Sequence, residues 1–412
     1  NYQVIKDKVN QVVDNRDLVV ITAGSSAGRE DFTAQVIDDL GEVLVHGVSI
    51  KPGGPVILGE IRNTPVIGVP GYPVAAALTF RLFVKSLIYQ LAGCNKPEMR
   101  KVRAQVSSKV VSKLGFREFV RVKITDLDDK LVAIPLARSS GVMGSLAEAD
   151  GLMVVSEFSE GVTRGQEVEV ELLADKIEAE NTLIMSGSND LTLDILKDKL
   201  AQEGIDLLTK STGSMGGLTT LRRKESHLAG IHLLDVETGK YNHSYVDKYL
   251  SDRETILINL VYRQQGLIVR RGNPKELQGI EDLANNNILF INRQRGAGTR
   301  VLFDYKLQEI GLTPQQINGY NRTEYTHMTL AAAIANGSAD AGLGVLAAAQ
   351  AFDLDFIPIA EERYDLVIPA EYESDKRIEK LLEIICSEQF KEKIALLSGY
   401  NTSKTGQVMK DD

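Results

Sequence analysis

Apolar residues fall into three differently patterned stretches along the chain. In residues 1–93, Val4–Val13 carries its apolar side chains at helical spacing. Leu18–Thr22 is a short run apolar on both sides, the pattern of a strand buried in a parallel sheet. A Gly/Ser loop follows, then a helical segment from Phe32 to Leu40, strands over Val43–Val48 and Pro65–Val69, and a long helix over Ala75–Ala92. Strand and helix alternate, which predicts an α/β domain. In residues 97–174 the period drops to two. Val102–Val106, Glu118–Ile124, Leu131–Pro135, Leu152–Val155 and Glu167–Leu172 read as strands with no long helix between them, predicting a small β-barrel or sandwich. Asp175–Glu180 reads as a polar linker. Residues 181–412 return to strand–helix alternation, with strands over Thr182–Met185, Ile205–Thr209, Leu228–His232, Ile256–Val261, Leu267–Arg270, Ile288–Asn292, Ala341–Val345 and Phe356–Ile359, and a helical region over Lys376–Leu397. That length suits one domain of two lobes.

A chain of 412 residues is long enough for several cores. No apolar run in the sequence approaches the roughly 18 to 20 residues of a membrane span. The net charge of −9 disfavours nucleic acid and anionic membrane as partners. Only Cys94 and Cys386 are present, far apart, which fits a reducing cytoplasm and no disulfide framework. No zinc spacing, Walker loop or Gly-x-Ser-x-Gly elbow occurs.

Three loops in the first stretch carry chemistry. Ala23-Gly24-Ser25-Ser26-Ala27-Gly28-Arg29-Glu30-Asp31 joins a strand to a helix; its glycines allow close backbone approach, and the amides of a helix start suit a phosphate. Ile50-Lys51-Pro52-Gly53-Gly54-Pro55 is a stiff loop with one cation. Gly68-Val69-Pro70-Gly71-Tyr72-Pro73 is a rigid turn before a helix, since proline fixes φ and removes a donor. Each taken singly is also an ordinary connection.

Together, and in this order and spacing, they resemble the molybdopterin-binding domain of the molybdopterin molybdenumtransferases (MoeA and the E domain of gephyrin). That family carries Ser-Gly-Gly-Val-Ser-Val-Gly-x-x-Asp-Tyr-Thr, then Lys-Pro-Gly-Lys-Pro, then Gly-Leu-Pro-Gly-Asn-Pro-Val-Ser. The stretches Phe116–Val122, Gly151–Val155 and Gly165–Leu172 are similar to its C-terminal domain. The resemblance implies that Gly24, Ser25, Ser26 and Gly28 cradle the pterin phosphate, that Asp31 helps place molybdate or Mg²⁺, and that Lys51 offsets oxyanion charge. Pro70, Gly71 and Pro73 would form the other wall. Asp31 and Lys51 are thus the expected catalytic residues. Gly54 stands where the family has its second lysine, and Tyr72 where it has asparagine.

The third stretch places polar loops before helices: Ser186–Asp190, Ser211–Gly217 and Arg293–Arg300. Each could be a simple helix cap. If they converge, they would hold a small oxyanion, with Ser188, Asn189, Ser214, Gly298, Thr299 and Arg300 as the expected contacts. Arg293 and Arg295 could clamp the ligand or lie on the surface; His232 reads as a satisfied core or cleft-lining residue and His327 as a cap or lobe-interface residue. Gly187–Asp190, Ala229–Leu233, Arg263–Gly266, Gly272–Pro274 and Asn292–Arg300 resemble the type 2 periplasmic-binding-protein fold. That resemblance implies two lobes crossed near Val261–Gly266 and Ala360–Tyr364.

The expectation is therefore a cytoplasmic homodimer, with Mg²⁺ as cofactor. It would insert molybdate or tungstate into adenylylated molybdopterin while an attached domain binds the oxyanion. The alternative is a non-catalytic cytoplasmic sensor or carrier of oxyanion or pterin.

Overall fold

The computed structural model describes residues 1–24, 32–128, 130–139, 143–174 and 179–410. The chain divides into two compact units, Asn1–Glu180 and Asn181–Asp412.

The first unit opens with the helix Tyr2–Val12, capped by the Asn1 side chain. A four-stranded sheet follows, in the order Val19–Thr22, Thr64–Val69, Ile57–Ile61, Glu42–His46. Only the first pair is parallel. The expected strand over Leu18–Thr22 exists, but it is an edge strand: Val20 is 37% exposed. The apolar run that suggested two buried faces has a neighbour on one side only. The helices Tyr2–Val12 and Thr33–Leu40 cover one face through Val9, Val13, Val36 and Ile37. The expected long helix runs from Pro73 to Leu91, with a π-helical turn at Phe80–Val84. At 19 residues, with an 18-residue window of mean hydropathy 1.4, it is long and apolar enough to cross a membrane by length and composition only, and two charges interrupt it as an apolar run. The length escapes notice in the sequence because Arg81 and Lys85 break up the apolar letters. Its inner face packs Leu78 against Phe119 and Leu152, and Val84 against Val56, Ile67 and Val69.

The five strands read with period two close into a barrel. Gly151–Val155 pairs with Glu167–Leu172, then Lys101–Val106, Lys130–Pro135 and Arg117–Leu127, which pairs back to Gly151–Val155. Closure removes free edges, and Val106, Val120, Val122, Ile124, Met153 and Val170 fill the interior. The barrel recruits one more segment: Ile50–Lys51 adds in parallel to Arg117–Glu118. The Lys51 loop is thereby held by the barrel rather than by the α/β sheet.

The second unit has one mixed sheet. Asp206–Ser211, Thr182–Gly187 and Leu228–Ile231 run parallel on one side; Ala341–Val345, Phe290–Arg293 and Thr323–Glu324 run parallel on the other. Two 15-residue antiparallel strands, Thr255–Val269 and Asp355–Pro369, join them. This is the two-lobed arrangement of type 2 periplasmic-binding proteins. Ile256–Val261 and Leu267–Arg270 were expected as separate strands and are one. Their polar middle, Tyr262–Gly266, mimics a loop in the sequence, yet Arg263 and Gln265 are fully buried. The same holds for Phe356–Ile359, whose strand continues through Glu362 and Asp365.

Candidate functional sites

In the first unit, Ala23 and Gly24 both have left-handed backbone, at φ 65° and 69°. The stems of the Gly/Ser loop are closed by Thr33, whose N–H donates to Gly24 O at 3.1 Å and whose hydroxyl donates to Ala23 O at 3.1 Å. Ser25, Ser26, Gly28 and Asp31 lie outside the described residues. The Pro70 turn comes up against this loop: a Cβ on Gly71 would stand 3.1 Å from the Ala23 Cβ, so glycine permits the approach. Pro73 starts the following helix, where its missing N–H costs nothing.

These stems and the Lys51 loop surround a cavity of about 700 Å³ lined by Ala23, Gly24, Ile50–Pro55, Pro70, Gly71, Tyr72, Ala75 and Phe116. Lys51 is the one charged residue among those lining positions, and its Nζ sits 5.0 Å from the Phe116 ring centroid. A smaller cavity of about 180 Å³ shares Lys51 and Pro52 and adds Glu118, Phe119, Val120, Arg121 and Arg138. Arg138 Nε donates to Glu118 Oε1 at 3.0 Å, and Ser112 Oγ donates to Glu118 Oε2 at 2.8 Å. Arg121 is 3% exposed, donates to the Ala137 and Ser139 carbonyls, and leaves Nε unbonded; burial lowers its pKa. Three cations to one engaged carboxylate make this a place for an anion. The sequence reading missed Arg121 and Arg138. The available signal was a cation at the centre of the apolar run Phe119–Val122.

Among the described residues no group of three or more His, Cys, Asp or Glu side chains could hold a metal ion. The Mg²⁺ expectation rests on Asp31, outside them.

In the second unit the three polar loops converge. Ser188 Oγ lies 2.6 Å from His232 Nε2, and His232 Nδ1 lies 2.6 Å from Glu362 Oε1. His232 N donates to Ser214 Oγ at 3.2 Å, at the start of the helix Ser214–Arg222. The helix Gly298–Glu309 backs directly onto His232: a Cβ on Gly298 would stand 2.1 Å from His232 O. Gln265 Nε2 reaches Thr299 Oγ1 at 3.4 Å and Glu362 Oε2 at 2.5 Å. Arg263 Nε donates to Glu362 Oε2 at 2.8 Å and its Nη1 to Asp190 Oδ2. Tyr400 OH donates to Asp190 Oδ2 at 2.9 Å. Ser188, Ser214 and Thr299 are all at least 96% buried. Asn189 is half-buried.

Arg300 is turned aside. Its Nη1 donates to Arg293 O at 3.2 Å and its guanidinium lies 4.6 Å from the Tyr320 ring centroid. Arg295 is exposed, and Arg293 is 2% exposed. Burial holds the His232 imidazole below its ordinary pKa, with Glu362 opposing. Burial alone would raise the Glu362 carboxyl, but its charge partners and hydrogen bonds outweigh that and hold it at about 2.

Three family models match. Residues 1–90 match "Probable molybdopterin binding domain", residues 103–173 match "MoeA C-terminal region (domain IV)", and residues 197–386 match "PBP superfamily domain". The chain thus joins the molybdopterin-binding and C-terminal domains of MoeA to a domain of the periplasmic-binding-protein superfamily. It is 35% identical over 105 residues to the molybdopterin molybdenumtransferase of Haemophilus influenzae, covering 24% of this chain and 26% of that one. Against the molybdopterin molybdenumtransferase of Bacillus subtilis it is 27% identical over 179 residues, covering 43% and 40%. It thus spans less than half the length of either transferase. The uncharacterized protein YvgK of Bacillus subtilis is 37% identical over 227 residues, covering 55% of this chain and 73% of YvgK.

The departures from the MoeA motifs take physical form. A Cβ at Gly54, where the family's second lysine would stand, comes within 3.2 Å of Ile50 O, so the backbone here is drawn in tightly around its own turn. Tyr72 is 66% exposed at the mouth of the large cavity.

Proposed function

We propose that this protein acts in molybdenum cofactor biosynthesis, inserting molybdate or tungstate into adenylylated molybdopterin, and that its periplasmic-binding-protein-like domain binds the oxyanion. The observation that carries this reading is the 700 Å³ cavity lined by the Ala23–Gly24 stem of the first motif loop and by the other two motif loops. In this reading Gly24, Ser25, Ser26 and Gly28 cradle the phosphate, and Pro70, Gly71 and Pro73 form the facing wall. The smaller cavity at Lys51, Arg121 and Arg138 receives the oxyanion beside the pterin. When dithiolene sulfurs replace oxo groups on the metal, negative charge on the departing oxygen must be neutralised; the cations of that cavity are placed to do so. Asp31 is the proposed Mg²⁺ ligand, and Mg²⁺ would add further charge screening. Two copies of the chain form the working unit, in the cytoplasm.

The test is AMP release from adenylylated molybdopterin in the presence of molybdate. Lys51→Ala should slow it at least about 10-fold, the scale of one electrostatic contact of roughly 1.4 kcal/mol in the transition state. A second reading, a non-catalytic sensor or carrier, is favoured by Gly54: the large cavity has one lysine where the family has two. Pterin binding without AMP release would select it. Failure of a folded protein to bind pterin would refute the transferase reading and the pterin sensor, leaving an oxyanion sensor alone.

A further inference from the structure

The loop Ile50–Pro55 carries one cation, Lys51, because Gly54 stands at the second lysine position of the motif. The fold does not demand glycine there. Gly54 has no left-handed backbone, and an added Cβ would press on Ile50 O at 3.2 Å and Val48 O at 3.3 Å, which asks for a shift of a few tenths of an ångström. A side chain at this position is tolerable, yet the charge is gone.

The barrel brings a different cation to the same place. Parallel pairing sets Lys51 opposite Glu118. Glu118 is 6% exposed, and its carboxylate holds Arg138: Nε donates to Oε1 at 3.0 Å, Nη2 donates to the same oxygen, and Ser112 Oγ steadies Oε2 at 2.8 Å. The main chain of Arg138 is fixed as well. Arg121 Nη2 donates to the carbonyls on either side of it, Ala137 O and Ser139 O, the second at 3.1 Å, while Leu136 N donates to Arg121 O at 2.9 Å. Arg138 is thus pinned at backbone and side chain, although the side chain is 41% exposed. An ion pair with one partner in solvent stabilises a fold by about 1 kcal/mol or less, too little to offset burial of the Glu118 carboxylate. Glu118 engages one edge of the guanidinium, and Arg138 lines the 180 Å³ cavity together with Lys51 and Arg121. The arrangement holds a charge at a cavity rather than a fold together.

We infer that Arg138 replaces the missing lysine: the second positive charge of the Lys51 loop has moved to the barrel, where Glu118, Ser112 and Arg121 position it against the oxyanion. This rests on the proposed transferase role of the first unit, and it removes Gly54 as a reason to read the chain as a sensor.

The experiment follows molybdate-dependent AMP release by the whole protein, and calorimetric titration with molybdate, for Arg138→Gln, Gly54→Lys and the two combined, with a thermal melt of each. Arg138→Gln should slow release about 10-fold or more with an unchanged melting temperature. Gly54→Lys should raise the rate of the Arg138→Gln protein at least about 5-fold, yet change the unsubstituted protein less than about 2-fold, because the charge it adds is already present. Equal gains in both backgrounds, or an Arg138→Gln rate within about 2-fold of the unsubstituted one, would overturn the replacement. Arg138→Lys keeps the charge and should stay within about 3-fold; it decides the case if Gly54→Lys does not fold, and a loss there as large as with glutamine would count against the inference. Glu118→Gln should raise the KM for molybdate and add nothing to Arg138→Gln, since it acts through that guanidinium; a further loss in that background would remove Glu118 as a positioning residue. If the unsubstituted protein releases no AMP, the transferase role falls and the titrations decide. Arg138→Gln must then weaken a molybdate-binding event that Gly54→Lys restores, and titrations matching the unsubstituted protein would overturn the inference too.

Discussion

The two candidate sites of this chain are built by opposite means. The first unit's large cavity is walled by glycines and prolines, and among its lining residues only Lys51 is charged. Its shape comes from backbone, so its side chains can change without disturbing the fold. The second unit's site is a sealed set of charges: Arg263, Asp190, Glu362 and His232 are each at least 97% buried and bonded to one another. Here the groups that would receive a ligand also hold together the two long strands Thr255–Val269 and Asp355–Pro369, since Arg263 stands on one and Glu362 on the other. Function and stability are separable in the first unit and entangled in the second.

Substitutions can break that contrast, and the largest effect is expected at Glu362. Removing one partner from a buried ion cluster leaves the other charge uncompensated, so Glu362→Ala should cost about 3 to 5 kcal/mol. Denaturant unfolding of the second unit would show it, and a loss under about 1 kcal/mol would mean the cluster is not structural. Lys51→Ala should do the reverse: a large drop in AMP release with unfolding unchanged to within about 0.5 kcal/mol, as for a surface change.

Acid should separate the units more gradually. The buried His232 has its pKa below the ordinary 6.5, so as pH falls through that value the unfolded chain gains a proton that the folded one refuses, and stability is lost. Glu362, at about 2 against an ordinary 4.5, contributes stability that is complete above 4.5 and lost as pH falls toward 2. Melting of the second unit followed from pH 7.5 downward should therefore decline first near 6.5 and again below 4.5. An unchanged melting temperature down to pH 4.5 would contradict the lowered His232 pKa, and an unchanged one from there toward pH 2 that of Glu362. The smallest effect belongs to Tyr72→Asn, which restores the family's residue at an exposed position: stability should stay within about 0.5 kcal/mol, while pterin affinity changes no more than a few-fold.

The same contrast explains what the sequence reveals. Glycine and proline loops act through backbone, and their order survives as letters, so the Gly24, Lys51 and Pro70 segments point to one pocket before any coordinates exist. The barrel strands were equally readable from their alternation. Arg121, Arg263 and Glu362 break that alternation inside strands and look like surface or loop residues, because burial of a charge depends on partners far away in the chain: Arg263 finds Asp190 and Glu362 at separations of 73 and 99 residues. Arg293 and Arg300 illustrate the limit. They flank one loop, Arg293 ending a strand and Arg300 in the first turn of the next helix, yet Arg300 is spent on Tyr320 and a carbonyl while Arg293 keeps a free N–H. Only packing decides between them.

The proposed transferase role of the first unit is tested most directly by mixing the purified protein with adenylylated molybdopterin and molybdate and measuring AMP. Release of AMP that depends on molybdate, and that Lys51→Ala slows, is the predicted result; a folded, pterin-binding protein that releases none would contradict it.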